Sequence, residues 1–184
     1  AYVPIDAEYP QERIRYLLDD SQITLVLTQR QLNTEITHEG SEFIAIEDLL
    51  EQSEWSRDNL GLVYDPARIM YLLYTSGSTG KPKGVKVRAD AFANLIDWVT
   101  SDQYEITDQD NILLIAPISF DLAQKNLYAS LVKGGTLCLF TPGLYDYNRM
   151  LRTIRQHNIT FVNCTPSAFQ PLVDFDAQYE SLQT

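Results

Sequence analysis

The feature that most constrains this chain is the passage from Ile69-Met70-Tyr71-Leu72-Leu73-Tyr74 into Thr75-Ser76-Gly77-Ser78-Thr79-Gly80-Lys81-Pro82-Lys83-Gly84-Val85. The first segment is short, continuously apolar and aromatic-rich, which predicts a strand buried on both faces. A glycine loop leaving such a strand lies at its carboxyl end, where open α/β sheets bind ligands. Gly77, Gly80 and Gly84 admit backbone conformations closed to other residues, so successive N–H groups can converge on an anion. Thr75, Ser76, Ser78 and Thr79 add hydroxyl donors, and Lys81 or Lys83 adds charge. Together they predict a place that holds phosphate.

The spacing discriminates among phosphate loops. A P-loop needs Gly-Lys followed by Ser or Thr, whereas Gly80-Lys81 is followed by Pro82, which removes an N–H donor and bars helix initiation in that manner. No dinucleotide fingerprint fits the glycine positions, and a flexible linker would explain the glycines but not Pro82-Lys83-Gly84 after the hydroxyl cluster. From Tyr74 to Val85 the chain resembles, at nearly every position, the signature loop of the adenylate-forming enzymes: acyl-CoA ligases, luciferases and peptide-synthetase adenylation domains. The resemblance implies that Thr75, Ser76, Gly77, Ser78, Thr79, Gly80, Lys83 and Gly84 surround the phosphates of ATP. Ala1-Tyr2-Val3-Pro4-Ile5-Asp6, with Tyr9-Pro10-Gln11-Glu12-Arg13-Ile14, resembles a second motif, more typical of the non-ribosomal peptide-synthetase branch than of CoA ligases. Locally that segment predicts scaffold and no chemistry.

In order along the chain, the pattern predicts a helix from Pro10 to Asp20 with Ile14, Leu17 and Leu18 on one face, then a strand at Ile23–Thr28. A strand-like run at Phe43–Ile46 and a short helix follow, within a polar stretch where His38 reads as a solvated loop residue. Beyond the glycine loop come a helix at Ala89–Thr100, strands at Ile112–Ala116, Thr136–Phe140 and Ile159–Asn163, helices at Asp121–Lys133 and Tyr147–His157, and a helix opened by Pro166. His157 falls at a helix C-terminus, favourable to the dipole. This alternation implies an α/β fold with a mostly parallel sheet, helices on both faces and right-handed crossovers, in one structural unit spanning 1–184. By resemblance it is part of the large N-terminal domain of an adenylate-forming enzyme. With 184 residues and 45% hydrophobic content the chain can bury roughly 70% of its unfolded surface.

A formal net charge of -11 argues against nucleic acid or an anionic membrane as a partner. Cys138 and Cys164 lie in apolar runs, which suits buried reduced thiols in the cytoplasm and neither a disulfide nor a metal site. No leader or membrane-length apolar run is present. The abrupt start on Ala1-Tyr2 reads as a piece of something longer, truncated at both ends.

Phe120-Asp121 follows the strand at Ile112–Ala116, so its side chains project from a strand's carboxyl end, on the edge expected for the glycine loop. On the following helix Leu127, Tyr128, Leu131 and Val132 form an apolar stripe, with Asp121, Gln124 and Lys125 on or beside its line as if lining a pocket mouth. Asp121 with Gln124 could equally be a capping pair, and Asp121 with Lys125 an i,i+4 ion pair; on residues alone these readings stand level. The resemblance implies more. Phe120-Asp121 matches the family's aromatic-acid motif, whose Asp holds the ammonium group of an α-amino acid, and Leu122, Lys125 and Asn163 would line the side-chain pocket. Ala123 stands where Ser is frequent, Lys125 where a large aromatic often sits, and Ala89 where His is common.

The implied reaction is attack of an amino-acid carboxylate on the α-phosphorus of ATP, with Mg²⁺, giving an aminoacyl adenylate and pyrophosphate. The acyl group then passes to the phosphopantetheine thiol of a carrier domain, in a synthetase that also has condensation domains. The family's motifs for adenine and ribose, and its C-terminal catalytic lysine, are not among these residues, so no catalytic residue is assigned here. Two other readings share parts of the pattern: an acyl- or aryl-CoA ligase, which has no use for Asp121, and a non-catalytic nucleotide-binding or interaction domain. A lysine in the side-chain pocket implies a polar substrate, acidic or amide.

Overall fold

The computed structural model describes residues 1–32, 36–52, 55–56, 58–76, 80–140 and 146–175. The chain divides into two compact units, Ala1–Val87 and Arg88–Thr184.

In the first unit, Pro10 caps helix α1 (Gln11–Ser21), whose Ile14, Leu17 and Leu18 are buried, as the spacing predicts. Strands β1 (Leu25–Thr28) and β2 (Glu42–Ala45) pair in parallel, with Leu25 opposite Glu42 and Thr28 opposite Ala45. Helix α2 (Ile46–Glu51) follows, joined to the end of β1 by Arg30, which bonds Asp48 and Glu51. His38 is not the solvated loop residue the polar surroundings suggested. Its side chain is 14% exposed and bridges Ser41 Oγ and Asp19 Oδ1, each at 2.9 Å, which fastens the segment before β2 to α1.

Strand β3 (Ile69–Thr75) buries Tyr71, Leu72 and Leu73 in succession, so both of its faces are covered. Its neighbours are β4 (Lys83–Arg88) and the N-terminal segment, where Tyr2 forms a parallel bridge with Tyr71. The strand at Lys83–Arg88 has no counterpart in the sequence reading.

The second unit is built on a parallel sheet ordered β6-β5-β7: β5 (Asn111–Leu114) lies between β6 (Thr136–Leu139) and β7 (Phe161–Val162). Alternation along β5 splits the core. Leu113 packs with Met150, Leu151, Ile154 and Leu172, from helices α5 (Tyr147–Gln156) and α6 (Pro166–Phe175). Ile112 packs on the other face with Val99, Ile106 and Ala129. Helices therefore cover both faces of this sheet, as expected. Helix α3 (Ala89–Asp97) continues as a π-helical stretch, Trp98–Gln103, in which the buried Thr100 hydroxyl donates to the Ile96 carbonyl at 2.8 Å.

Helix α4 (Asp121–Lys133) differs from expectation in the face it presents. Leu131 and Val132, read as part of the apolar stripe, are 65% and 63% exposed. Ala123, Gln124, Asn126, Ala129 and Ser130 are buried instead. Small residues let the helix lie close to β5 and β6. The buried polar groups are satisfied locally, Gln124 donating to the Ile118 carbonyl and Ser130 to that of Leu127. Tyr128 instead meets the edge of the Phe92 ring, at 5.0 Å and 84°.

Candidate nucleotide and substrate sites

In the first unit the glycine loop leaves β3 at Thr75 and returns at β4. Gly77, Ser78 and Thr79 lie outside the described residues. On either side of them Thr75, Ser76, Gly80, Lys81 and Lys83 are exposed. Gly80 has φ +85°, a conformation in which a side chain is strained, and a Cβ there would meet nothing within 4 Å. Gly84 sits inside β4, where a Cβ would come 3.0 Å from Leu72 Cδ1 and 3.3 Å from Tyr74 Cζ, so any larger residue would press on those two side chains.

Two groups on α1 hold the flanks of this loop. The Tyr16 hydroxyl donates to the Pro82 carbonyl at 3.1 Å, and Tyr74 donates to Asp20 Oδ2 at 2.6 Å. Burial, reinforced by the Asp20 carboxylate, raises the Tyr74 phenol above its ordinary range, so it stays a donor. Lys81 stands 5.8 Å from the centre of the Tyr16 ring, a cation–π contact. Lys83 forms no ion pair or hydrogen bond with a described side chain, which leaves its charge available to an anion. Exposed hydroxyls, a free ammonium and a permissive backbone fit a phosphate chain. Among the described residues no group of three or more His, Cys, Asp or Glu could hold a metal ion.

In the second unit Phe120, 58% exposed, precedes α4, and Asp121 is the helix's first residue. Phe120 makes no side-chain cap; Asp121 Oδ1 accepts from the Leu122 N–H at 2.8 Å, near the positive end of the helix dipole. The i,i+4 ion pair is not formed. Asp121 is exposed, and Lys125, half-buried, has no ion pair among the described residues. Leu122 is also half-buried. Asn163, just beyond β7, donates from Nδ2 to Asn126 Oδ1 at 3.2 Å, while Asn126 Nδ2 donates to the Asn163 carbonyl at 3.3 Å.

Tyr16, Asp20 and Asn126 were not singled out from the sequence. For Asn126 a signal existed: Ala123, Asn126, Ala129 and Ser130 recur at helical spacing, and such small and polar residues mark a close-packed face as readily as leucines mark a greasy one. For Tyr16 and Asp20 none existed, since their partners lie 66 and 54 residues away.

A parallel α/β fold with a glycine-, hydroxyl- and lysine-bearing loop at the end of a buried strand is the architecture of a nucleotide-binding α/β protein. The chain belongs to the AMP-binding enzyme family, which matches residues 1–184. It is 39% identical over 176 residues to tyrocidine synthase 3 of Brevibacillus parabrevis, covering 95% of this chain and 3% of that protein. It is 34% identical over 181 residues to indigoidine synthase of Streptomyces lavendulae, covering 95% of this chain and 14% of that one. The chain thus spans a small part of these relatives. Among solved structures it resembles the nonribosomal peptide synthetase FmoA3 in its α-methyl-L-serine-AMP bound form, with TM-score 0.87 and 27% identity over 98% of this chain and 20% of that one. The NpsA N-terminal subdomain of Klebsiella oxytoca shares the fold, with TM-score 0.81 at 24% identity over 96% of this chain and 43% of that one.

Proposed function

We propose that residues 1–184 are part of an adenylation domain that activates an amino acid with ATP, as an aminoacyl adenylate, for transfer to a phosphopantetheine-bearing carrier domain in non-ribosomal peptide synthesis. The observation that carries this reading is Asp121: an exposed carboxylate at the head of α4, outside any ion pair among the described residues, in a chain of the AMP-binding enzyme family. A carboxylate so placed suits a substrate ammonium, which acyl and aryl acids lack. The relatives, synthases of tyrocidine and indigoidine, and the α-methyl-L-serine-AMP form of FmoA3 support the same reading.

In this reading Thr75, Ser76, Gly77, Ser78, Thr79, Gly80, Lys83 and Gly84 surround the ATP phosphates. Lys83 offsets negative charge on the phosphates as the carboxylate attacks, and Mg²⁺ bound with the nucleotide would supply further charge neutralisation. Asp121 holds the substrate ammonium beside Phe120, and Leu122, Lys125 and Asn163 face its side chain. Carrier and condensation domains of the same synthetase are the partners. The free thiols of Cys138 and Cys164 suit the cytoplasm, and among the described residues no helix is long and apolar enough to cross a membrane.

The test is amino-acid-dependent pyrophosphate exchange by the complete protein containing this chain. Asp121→Ala is expected to lower amino-acid activation several hundred-fold or more, since bound substrate would cover the Asp121–ammonium pair and losing one partner of a pair so buried costs about 3–5 kcal/mol, with the KM for ATP little changed. Undiminished exchange, or a preference of the unmodified protein for simple carboxylic acids, would overturn the reading.

A further inference from the structure

Asn126 is 1% exposed, and its two hydrogen bonds fix more than its own position. A main-chain carbonyl can only accept, so the bond to the Asn163 carbonyl, 3.3 Å, assigns the NH₂ end of the Asn126 amide. The other end, Oδ1, can in turn only accept, and it does so from Asn163 Nδ2 at 3.2 Å. The orientation of both amides follows from that one carbonyl. Asn163 Oδ1 is thereby turned away from Asn126, with no partner among the described residues.

Lys125, the residue before Asn126, is half-buried and lacks an anionic partner among the described residues. Asn163 is half-buried too. If Lys125 and Asn163 face one ligand, as the proposed function has it, that ligand meets an ammonium donor and an amide oxygen acceptor. A carboxamide answers both, its oxygen accepting from Lys125 and its NH₂ donating to Asn163. A carboxylate answers the first but carries no proton for the second, and sets oxygen against oxygen. A primary ammonium does the reverse. An aliphatic side chain leaves both groups desolvated and unpaired.

We propose that Asn126 is a specificity-determining positioning residue, which holds the Asn163 amide oxygen toward the substrate so that Lys125 and Asn163 select a carboxamide side chain over the matching carboxylate. This rests on the amino-acid-activating reading above. Asn126 acts through Asn163 and does not touch the substrate.

The experiment measures kcat/KM in pyrophosphate exchange by the complete protein, with glutamine, glutamate, asparagine, aspartate, leucine and ornithine. A carboxamide is expected to exceed its matching carboxylate by about tenfold or more. Asn126→Leu frees Asn163 to rotate and is expected to bring that ratio down about tenfold. Asn126→Asp, protonated when buried, can accept and donate at the same two places and is expected to keep the ratio. A merely structural role would lower every substrate alike and leave ratios unmoved. Should Asn126→Leu fail to fold, Asn163→Leu, which removes the acceptor itself at a half-buried position, is expected to produce the same loss of ratio. Preference of the unmodified protein for a carboxylate, leucine or ornithine overturns the proposal, as does an unchanged ratio in the folded leucine variants. If in those cases Asp121→Ala still abolishes activation, only this inference falls; if Asp121→Ala has no effect, both do.

Discussion

Gly80 sits at φ +85°, so a side chain there works against backbone sterics and, in the proposed function, against an approaching phosphate. Gly80→Val in the complete protein is expected to damage ATP use far more than amino-acid binding, read as a rise in the KM for ATP and a fall in exchange rate; Lys83→Ala is expected to do the same more mildly. Equal, unchanged ATP kinetics in both variants would remove the phosphate-cradle assignment. The glycines and Lys83 stand out in the sequence because their spacing and residue types are those expected of an anion loop. What holds the loop could not. Tyr74→Phe deletes the bond to Asp20 and is expected to cost about 1 kcal/mol, seen in a lowered denaturant midpoint, together with weaker ATP use.

Among the elements, α4 gives the sharpest check of the packing. Ala129 is fully buried and Leu131 is 65% exposed. Ala129→Leu should therefore destabilise by about 1–3 kcal/mol through overpacking, while Leu131→Ser should fall within about 0.5 kcal/mol of neutral; the reverse order in urea melts would restore the leucine stripe as the core face. Sequence reading misplaced that stripe because it counted hydrophobicity and gave no weight to size. It found α1 and both faces of β5 because apolar spacing there agrees with packing. It passed over β4, whose Val85 and Val87 alternate in sequence with Lys86 and Arg88, because lysines and Gly84 made the segment read as loop. The turn before β5 offers a test by pH. Asp110 accepts from the Thr107 N–H at 2.8 Å and from the Thr160 hydroxyl at 2.7 Å, which holds its carboxyl below the ordinary range. Its folded pKa is depressed, so its contribution is present above the ordinary carboxyl range and is lost as pH falls through the folded value. Half-buried and still open to solvent on one side, it contributes less than about 1 kcal/mol. Asp110→Asn is expected to flatten the acid limb of stability against pH by that amount, and an acid limb of undiminished slope in the variant would count against it.

For the whole molecule, the family match runs across both compact units, residues 1–184. Parallel pairing was legible in the alternation of strands and helices, but not the division of the described strands into three sheets, since a strand's sequence shows which face is apolar and not which neighbour it takes. Leu60, Leu62 and Val63 are 83%, 79% and 95% exposed. Expressed by themselves, the 184 residues are expected to give no amino-acid-dependent pyrophosphate exchange, because the motifs that the family resemblance assigns to adenine, ribose and the catalytic lysine are not among them. Robust exchange by this segment would show that a smaller set of residues suffices.

With α4 lining the substrate pocket, as proposed above, its division bears on how such a protein changes its substrate over generations. Asp121, Leu122 and Lys125 keep some exposure, while their neighbours Ala123, Gln124 and Asn126 are sealed in the core. Neighbouring letters of the gene thus answer to different selective pressures, Leu122 and Lys125 to the metabolite supply, Ala123 and Gln124 to the survival of the fold, and Asn126 to both. Substitutions at Leu122 and Lys125 can drift without threatening the helix, so a library randomised there should yield mostly folded descendants with varied diets, whereas one randomised at Ala123 and Gln124 should yield mostly casualties.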